Sequence, residues 1–124
     1  MVNVVVVDND PELLDKMTGI FHNIEGVALL GEFEEAVAVV EFVKKNPVDM
    51  VFTDIVMPDI SGISLASELH KLKNPPAVVL MSSIPGFSLK AWKIQAFGFI
   101  EKPYTRAQVA KMVTLYKTGG KGLE

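Results

Sequence analysis

The sequence predicts an α/β fold of flavodoxin-like (βα)5 type: a doubly wound parallel five-stranded sheet in the order 2-1-3-4-5 with helices on both faces. Three observations predict it. Short β-branched apolar runs, VVVV at 4–7 foremost, read as strands buried on both faces. Stretches of helical periodicity lie between them, so that five strands alternate with five helices. Strict alternation demands right-handed crossovers and a covered parallel sheet, for which 2-1-3-4-5 is the most economical layout.

The first strand, at 4–7, runs into Asp8-Asn9-Asp10. Asp10-Pro11-Glu12 has the form of a helix start: a capping Asp, a proline in the first turn and an acid near the positive end. Leu13, Leu14, Met17, Ile20 and Phe21 follow at helical spacing. VALLG at 27–31 is a weaker second strand, and Val37, Val40 and Phe42 or Val43 suggest a second helix over 34–45. DMVFT at 49–53 is the third strand, and 62–72 the third helix, with Ile63, Ala66, Leu69 and Leu72 on one side. After Pro75-Pro76 come a fourth strand at 77–81 and a short fourth helix at 88–96 around Leu89, Trp92 and Ile94. FGFIE at 97–101 is the fifth strand. Thr105 and Gln108 form a capping box that opens the last helix, carrying Val109, Met112, Val113 and Tyr116. Residues 1–116 thus make one domain, and the Gly-rich KTGGKGLE at 117–124 reads as a flexible tail, a linker stub or a cloning remnant.

Bulk properties narrow the function. A chain of 124 residues, 49% hydrophobic and 22% charged, suits one domain with a real core. A net charge of −3 provides no reason to expect this domain to bind nucleic acid directly. The absence of cysteine excludes a disulfide framework and a Cys-based zinc site, and fits a reducing compartment. VNVVVV is too short for a membrane span and lacks a basic lead-in, so the expectation is a cytoplasmic protein without membrane contact.

The stretch VFTDIVMPDISG at 51–62 raises the functional question, because an apolar run ends in a lone acid, Asp54. A buried carboxylate is costly unless something pairs with it. Parallel strands bring Asp8-Asn9-Asp10, Asp54, Ser82-Ser83 and Glu101-Lys102-Pro103 to one edge, where ligands of such sheets bind. Oxygen ligands crowded there invite a hard divalent ion, and Mg2+ takes few protein oxygens and keeps several waters. Lys102 adds a fixed positive charge and Ser82 a hydroxyl. A metal, a lysine and a hydroxyl around one carboxylate suit a phosphoryl group, with Asp54 attacking in line. Pro103 allows a cis bond that aims the Lys102 ammonium inward.

These residues resemble a known family. Over residues 2–116 the chain is similar to the receiver domain of bacterial two-component response regulators, of the chemotaxis-regulator type. The matching motifs are VVVVDNDP, DIVMPDISG, LMSS and FIEKPY, in the right order and spacing. The resemblance implies that Asp54 accepts a phosphoryl group from a histidine kinase or phosphotransfer protein. It implies Mg2+ held by Asp8, Asn9, Asp54 and the backbone carbonyl of Val56. Ser82 is then the switch hydroxyl, Lys102 pairs with phosphoryl oxygens, and Phe99 matches the aromatic that turns inward. Such a domain is a phosphoacceptor switch rather than an enzyme, assisting only its own phosphorylation and dephosphorylation. Its changing face, built from the fourth helix, fifth strand and last helix, would meet an effector domain or a second copy. Trp92, Lys90, Lys93, Arg106, Lys111 and Lys117 lie there. The segment AWKIQAFGFIEKPY resembles receivers attached to LytTR-type DNA-binding domains.

Three departures qualify the match. Asn9 replaces the second acid usual after the first strand, which predicts weaker Mg2+ affinity, with Asp10 compensating in part. Val56 and Ile84 flank the site without a group to orient water, which predicts slow loss of the phosphoryl group. Phe99 lacks a hydroxyl, so switching there rests on packing.

Other readings compete at single residues. Asp10 reads better as a helix cap than as a ligand, Ser83 as structural, His22 and His70 as solvated helix residues, and the methionines as core. Two rival functions remain. A degenerate receiver would serve as an interaction module that never takes phosphate. A haloacid-dehalogenase-type phosphatase would use Asp8-Asn9-Asp10, but it leaves Asp54 unexplained and lacks the acidic pair expected after the lysine. An FMN-binding flavodoxin is disfavoured, because no Ser/Thr/Gly-rich phosphate loop follows the first strand.

Overall fold

The computed structural model describes residues 1–84 and 96–119. Five strands, β1 (Val2–Val7), β2 (Val27–Phe33), β3 (Met50–Asp54), β4 (Ala77–Ser82) and β5 (Gly98–Glu101), form one parallel sheet in the order β2-β1-β3-β4-β5. This is the flavodoxin-like arrangement expected from the alternation of apolar runs and helical patterns.

The run of valines in β1 explains why it is central. Alternation along a strand sends successive side chains to opposite faces. Val4 and Val6 enter one core cluster with Leu14, Met17, Phe21, Phe52 and Val109, while Val5 and Val7 enter the other with Val39, Leu65, Leu69 and Leu80. All four valines are at most 1% exposed. Burying each is worth roughly 1.5–3 kcal/mol relative to leaving it in water. Helix α1 (Pro11–His22) and the C-terminal helix (Arg106–Lys117) cover the first face, and α2 (Val37–Lys45) and α3 (Gly62–His70) cover the second.

The helix ends follow the sequence signals in most places. Asp10 caps α1, its side chain accepting from the Glu12 amide at 3.0 Å. Ser61 caps α3, and Thr105 with Gln108 completes a capping box on the C-terminal helix. His22 and His70 stand exposed at helix ends, and Met17, Met50 and Met81 are buried core.

Several boundaries differ. The second helix begins at Val37 rather than 34, because its N-cap position, Ala36, has no side chain to cap with. The cap comes from afar: Asp59 accepts from the amides of Ala36 (3.2 Å) and Val37 (2.7 Å). The third helix stops at His70, with Lys71 as C-cap, so Leu72 lies beyond it while still packing on the core. β2 extends to Phe33, and β3 includes Asp54 as its last residue. The C-terminal helix continues through Lys117, whose ammonium donates to the Glu25 carbonyl at 3.3 Å. The predicted fourth helix, 88–96, lies outside the described residues apart from Ala96, and with it Trp92, Lys90 and Lys93. The final residues 120–124 also lie outside them.

Candidate functional site

β1 and β3 are neighbours, with Val7 paired to Thr53, so the residues that follow, Asp8 and Asp54, emerge side by side at the carboxyl edge. Neither is well solvated, at 2% and 8% exposed. β4 is the next strand; Asp54 pairs with Met81 and Ser82 pairs with Glu101, which brings Lys102 to the same edge. The Lys102 amide donates to the Ser82 carbonyl at 2.8 Å, and the Lys102–Pro103 bond is cis.

The Lys102 ammonium lies between the two carboxylates, 2.8 Å from Asp8 Oδ2 and 3.2 Å from Asp54 Oδ2. One cation shared by two buried acids is the pairing that makes their burial tolerable. It also answers the question raised by the lone acid after β3. The second oxygen of Asp8 accepts from the Asp10 amide at 2.9 Å. The Val56 amide hydrogen-bonds to Asp54. Burial nevertheless raises the Asp54 pKa above its ordinary 3.8: desolvation and the Asp8 charge outweigh the pull of Lys102 and the Val56 amide.

An open cleft exposes these groups to solvent, lined by Asp8, Asn9, Asp10, Asp54, Ser83 and Lys102. Asn9 is exposed on its rim, and Asp10 is occupied as the α1 cap. The donor set fits a small hard cation: two carboxylates within reach of one ammonium, with an open side for water ligands. Among the described residues no cluster of three or more His, Cys, Asp or Glu forms a fuller metal cage.

Ser82 is 2% exposed, and its hydroxyl oxygen accepts from the Ile84 amide at 2.9 Å while its proton can still be donated. Phe99 is not on the cleft. It pairs with Leu80 in the sheet and packs, partly buried, on the cluster that holds Leu65 and Leu80. Ser82 follows Leu80 by two residues, so it projects to that same face. Val56 and Ile84 stand 62% and 43% exposed beside the site. Arg106 and Lys117, considered as docking cations, donate to the Asn23 and Glu25 carbonyls of the α1–β2 turn.

Three features near the site escaped sequence reasoning. Asp59 ties the loop after Asp54 to the start of α2; the missing cap at Glu34-Glu35-Ala36 was the signal for it. Burial opposes ionisation of Asp59, but donation from the Val37, Ile60 and Ala36 amides holds its pKa below the usual value. Gly62 presses on the acceptor strand, and a Cβ there would collide with the Asp54 carbonyl oxygen. Tyr104 is buried at 3% exposure, its hydroxyl donating to the Leu13 carbonyl at 3.3 Å. Burial first, then the charges of Asp8, Asp54 and Asp10, push its phenol up to about 12.

Comparison with known proteins adds an independent line. A profile of the response regulator receiver domain matches residues 4–114. The sensory transduction protein LytT of Bacillus anthracis is 31% identical over 117 residues, covering 94% of this chain and 48% of that protein. The transcriptional regulatory protein LytR of Staphylococcus aureus (strain N315) is 25% identical, covering 88% and 44%. The chain therefore spans about half the length of the curated relatives it matches. Among solved structures, the signal receiver domain of NarL from Mycobacterium tuberculosis superposes with a TM-score of 0.85 at 28% identity, covering 95% of this chain and 97% of that one. The isolated receiver domain of RcsB from Salmonella enterica serovar Typhimurium, solved with phosphomimetic BeF3−, reaches 0.86 at 21% identity, covering 97% and 91%, a likeness of fold.

Proposed function

From the premise that the chain belongs to the response regulator receiver domain family, we propose that it is a live phosphoacceptor switch whose acceptor is Asp54. The observation that carries the reading is the Lys102 ammonium held between Asp8 and Asp54 at 2.8 and 3.2 Å. A silent scaffold has no need of a buried, paired carboxylate open to solvent on one side.

In the proposed reaction an Asp54 oxygen attacks the phosphorus of a phosphohistidine or acetyl phosphate in line, and the bond to the donor breaks. Lys102 follows the transferred oxygens and Ser82 donates its hydroxyl to one of them. Asp8, Asp54, the Val56 carbonyl and, more weakly, Asn9 would hold Mg2+, which when bound supplies charge neutralisation for the phosphoryl oxygens. The modified side chain carries about −1.5 to −2 charges and three more acceptor oxygens. Movement of Ser82 toward them vacates space on the face it shares with Phe99, which biases Phe99 inward and reshapes the β5 side of the domain. Phe99 lacks a tyrosine hydroxyl, so the change there rests on how its ring packs.

Residues 1–116 act in this reading as the receiver, and a histidine kinase or phosphotransfer protein is the donor. An effector domain, of the LytTR-type DNA-binding kind that the sequence resemblance implies, or a second copy would read the changed face. Among the described residues no helix is long and apolar enough to cross a membrane.

The test is chemical. Acetyl phosphate with Mg2+ should add one phosphoryl group, mapped to Asp54 and absent from Asp54→Asn. Beryllofluoride with Mg2+ should change the spectrum or oligomeric state. Modification at Asp8 with turnover of phosphate esters would favour the phosphatase reading, and no response to either reagent would favour the degenerate receiver.

A further inference from the structure

Lys16, on α1, is a cation that the proposed mechanism leaves unused. Its ammonium donates to the Tyr104 carbonyl at 3.2 Å and sits 4.7 Å from the centroid of the Tyr104 ring. The Tyr104 hydroxyl returns to α1 through the Leu13 carbonyl. The same helix therefore grips Tyr104 by its ring, its hydroxyl and its backbone.

Tyr104 is two residues from Lys102. The Lys102 amide is fixed to Ser82, and immediately beyond Tyr104 the capping box of Thr105 and Gln108 locks the start of the C-terminal helix. Between these anchors, the Tyr104 grip ties the Lys102–Pro103 turn to α1. Transfer chemistry is sensitive to how a charged group is held, since a displacement of about 1 Å can cost on the order of a hundredfold in rate.

We infer that Lys16 is a positioning residue for Lys102, acting through Tyr104 to set where the Lys102 ammonium meets the phosphoryl oxygens. The inference rests on the receiver reading proposed above. Lys16 touches neither acid and carries no part of the chemistry itself.

The experiment times labelling of Asp54 by acetyl phosphate with Mg2+ in the wild-type chain, Lys16→Met, Lys16→Arg, Lys102→Ala and the double variant Lys16→Met/Lys102→Ala. Lys16→Met should slow labelling on the order of tenfold. Lys16→Arg should restore it, because a guanidinium can also stack on the ring and donate to the carbonyl. In the Lys102→Ala background Lys16→Met should change nothing further, since the residue it acts through is gone. Equal rates for wild type and Lys16→Met would overturn the inference, as would the same fold loss with and without Lys102. Where labelling without Lys102 is too slow to time, the Arg variant decides: a rate no better than that of Lys16→Met rejects the positioning role. A wild-type chain that takes no label at Asp54 rejects the receiver reading itself, which is a separate result.

Discussion

The Lys102 ammonium stands closer to Asp8 (2.8 Å) than to Asp54 (3.2 Å), the residue it would serve in phosphoryl transfer. Asp8 on the neighbouring strand thus shares the cation with the acceptor and holds it slightly closer. The pair also sets the electrostatic balance of the edge, because two carboxylates of 2% and 8% exposure share a single positive charge. Lys102→Met should leave both acids uncompensated and destabilise the fold by about 2–4 kcal/mol, toward the low end for a buried pair because the cleft is open. Saturating Mg2+ should restore much of that loss. Urea unfolding with and without the metal measures both effects, and a variant as stable as wild type without metal would mean that the triad is not holding the edge together.

Asn9 lies exposed on the cleft rim while the neighbouring Asp10 is committed to capping α1. An amide offers Mg2+ an oxygen but no charge, so Asn9→Asp should strengthen Mg2+ binding on the order of tenfold. Calorimetric titration of the two proteins decides. Matching affinities would show that Asp10 or water already makes up the difference.

Val56 and Ile84 present apolar side chains, 62% and 43% exposed, where a hydrolytic water would have to be oriented. The aspartyl phosphate should therefore be long-lived, and Val56→Asn with Ile84→Glu should shorten its lifetime by up to about a hundredfold, the low end of typical general-base effects. Following loss of the phosphoryl group after donor removal tests this; identical decay curves would remove the flanks from the account.

Asp54 carries a raised pKa, chiefly because it is buried. As pH falls, the folded protein takes up this proton before the unfolded chain does, so stability linked to Asp54 rises as pH drops through the folded pKa toward 3.8. Ionised Asp54 is correspondingly a cost at neutral pH. In metal-free buffer Asp54→Asn should be more stable than wild type at about pH 7, and the gap should close by about pH 4. A constant difference across that window would contradict the linkage.

Gly62 begins α3 with its amide bonded to the Ile55 carbonyl at 2.8 Å, and an added Cβ would also come within 3.0 Å of the Ile55 Cα. The contact is with backbone, which cannot rotate away. Gly62→Ala should cost about 1–3 kcal/mol and disturb the acceptor loop. Chemical denaturation provides the number, and a neutral substitution would show that the loop yields.

Much of the fold was legible because its signals are local or periodic. Four consecutive valines mark the central strand, and Asp10 and Thr105 act at helix starts through bonds to amides two or three residues away. The start of α2 was misread because its cap, Asp59, lies 22 residues beyond Val37, where no local rule reaches. Likewise the role of Tyr104 is invisible in the FIEKPY motif, since its partners Leu13 and Lys16 lie 91 and 88 residues away.

Residue order alone determined the alternation of strands and helices, and through it which loops share an edge, because strand period and crossover handedness follow from backbone geometry. That was enough to single out Asp8, Asp54, Ser82 and Lys102. Only the tertiary structure decided how they meet: that one ammonium bridges two acids, that Asp10 is spent on a cap while Asn9 faces solvent, and that Ser82 and Phe99 share a face. Those outcomes depend on side-chain contacts between segments far apart in the chain, which no local pattern in the sequence encodes.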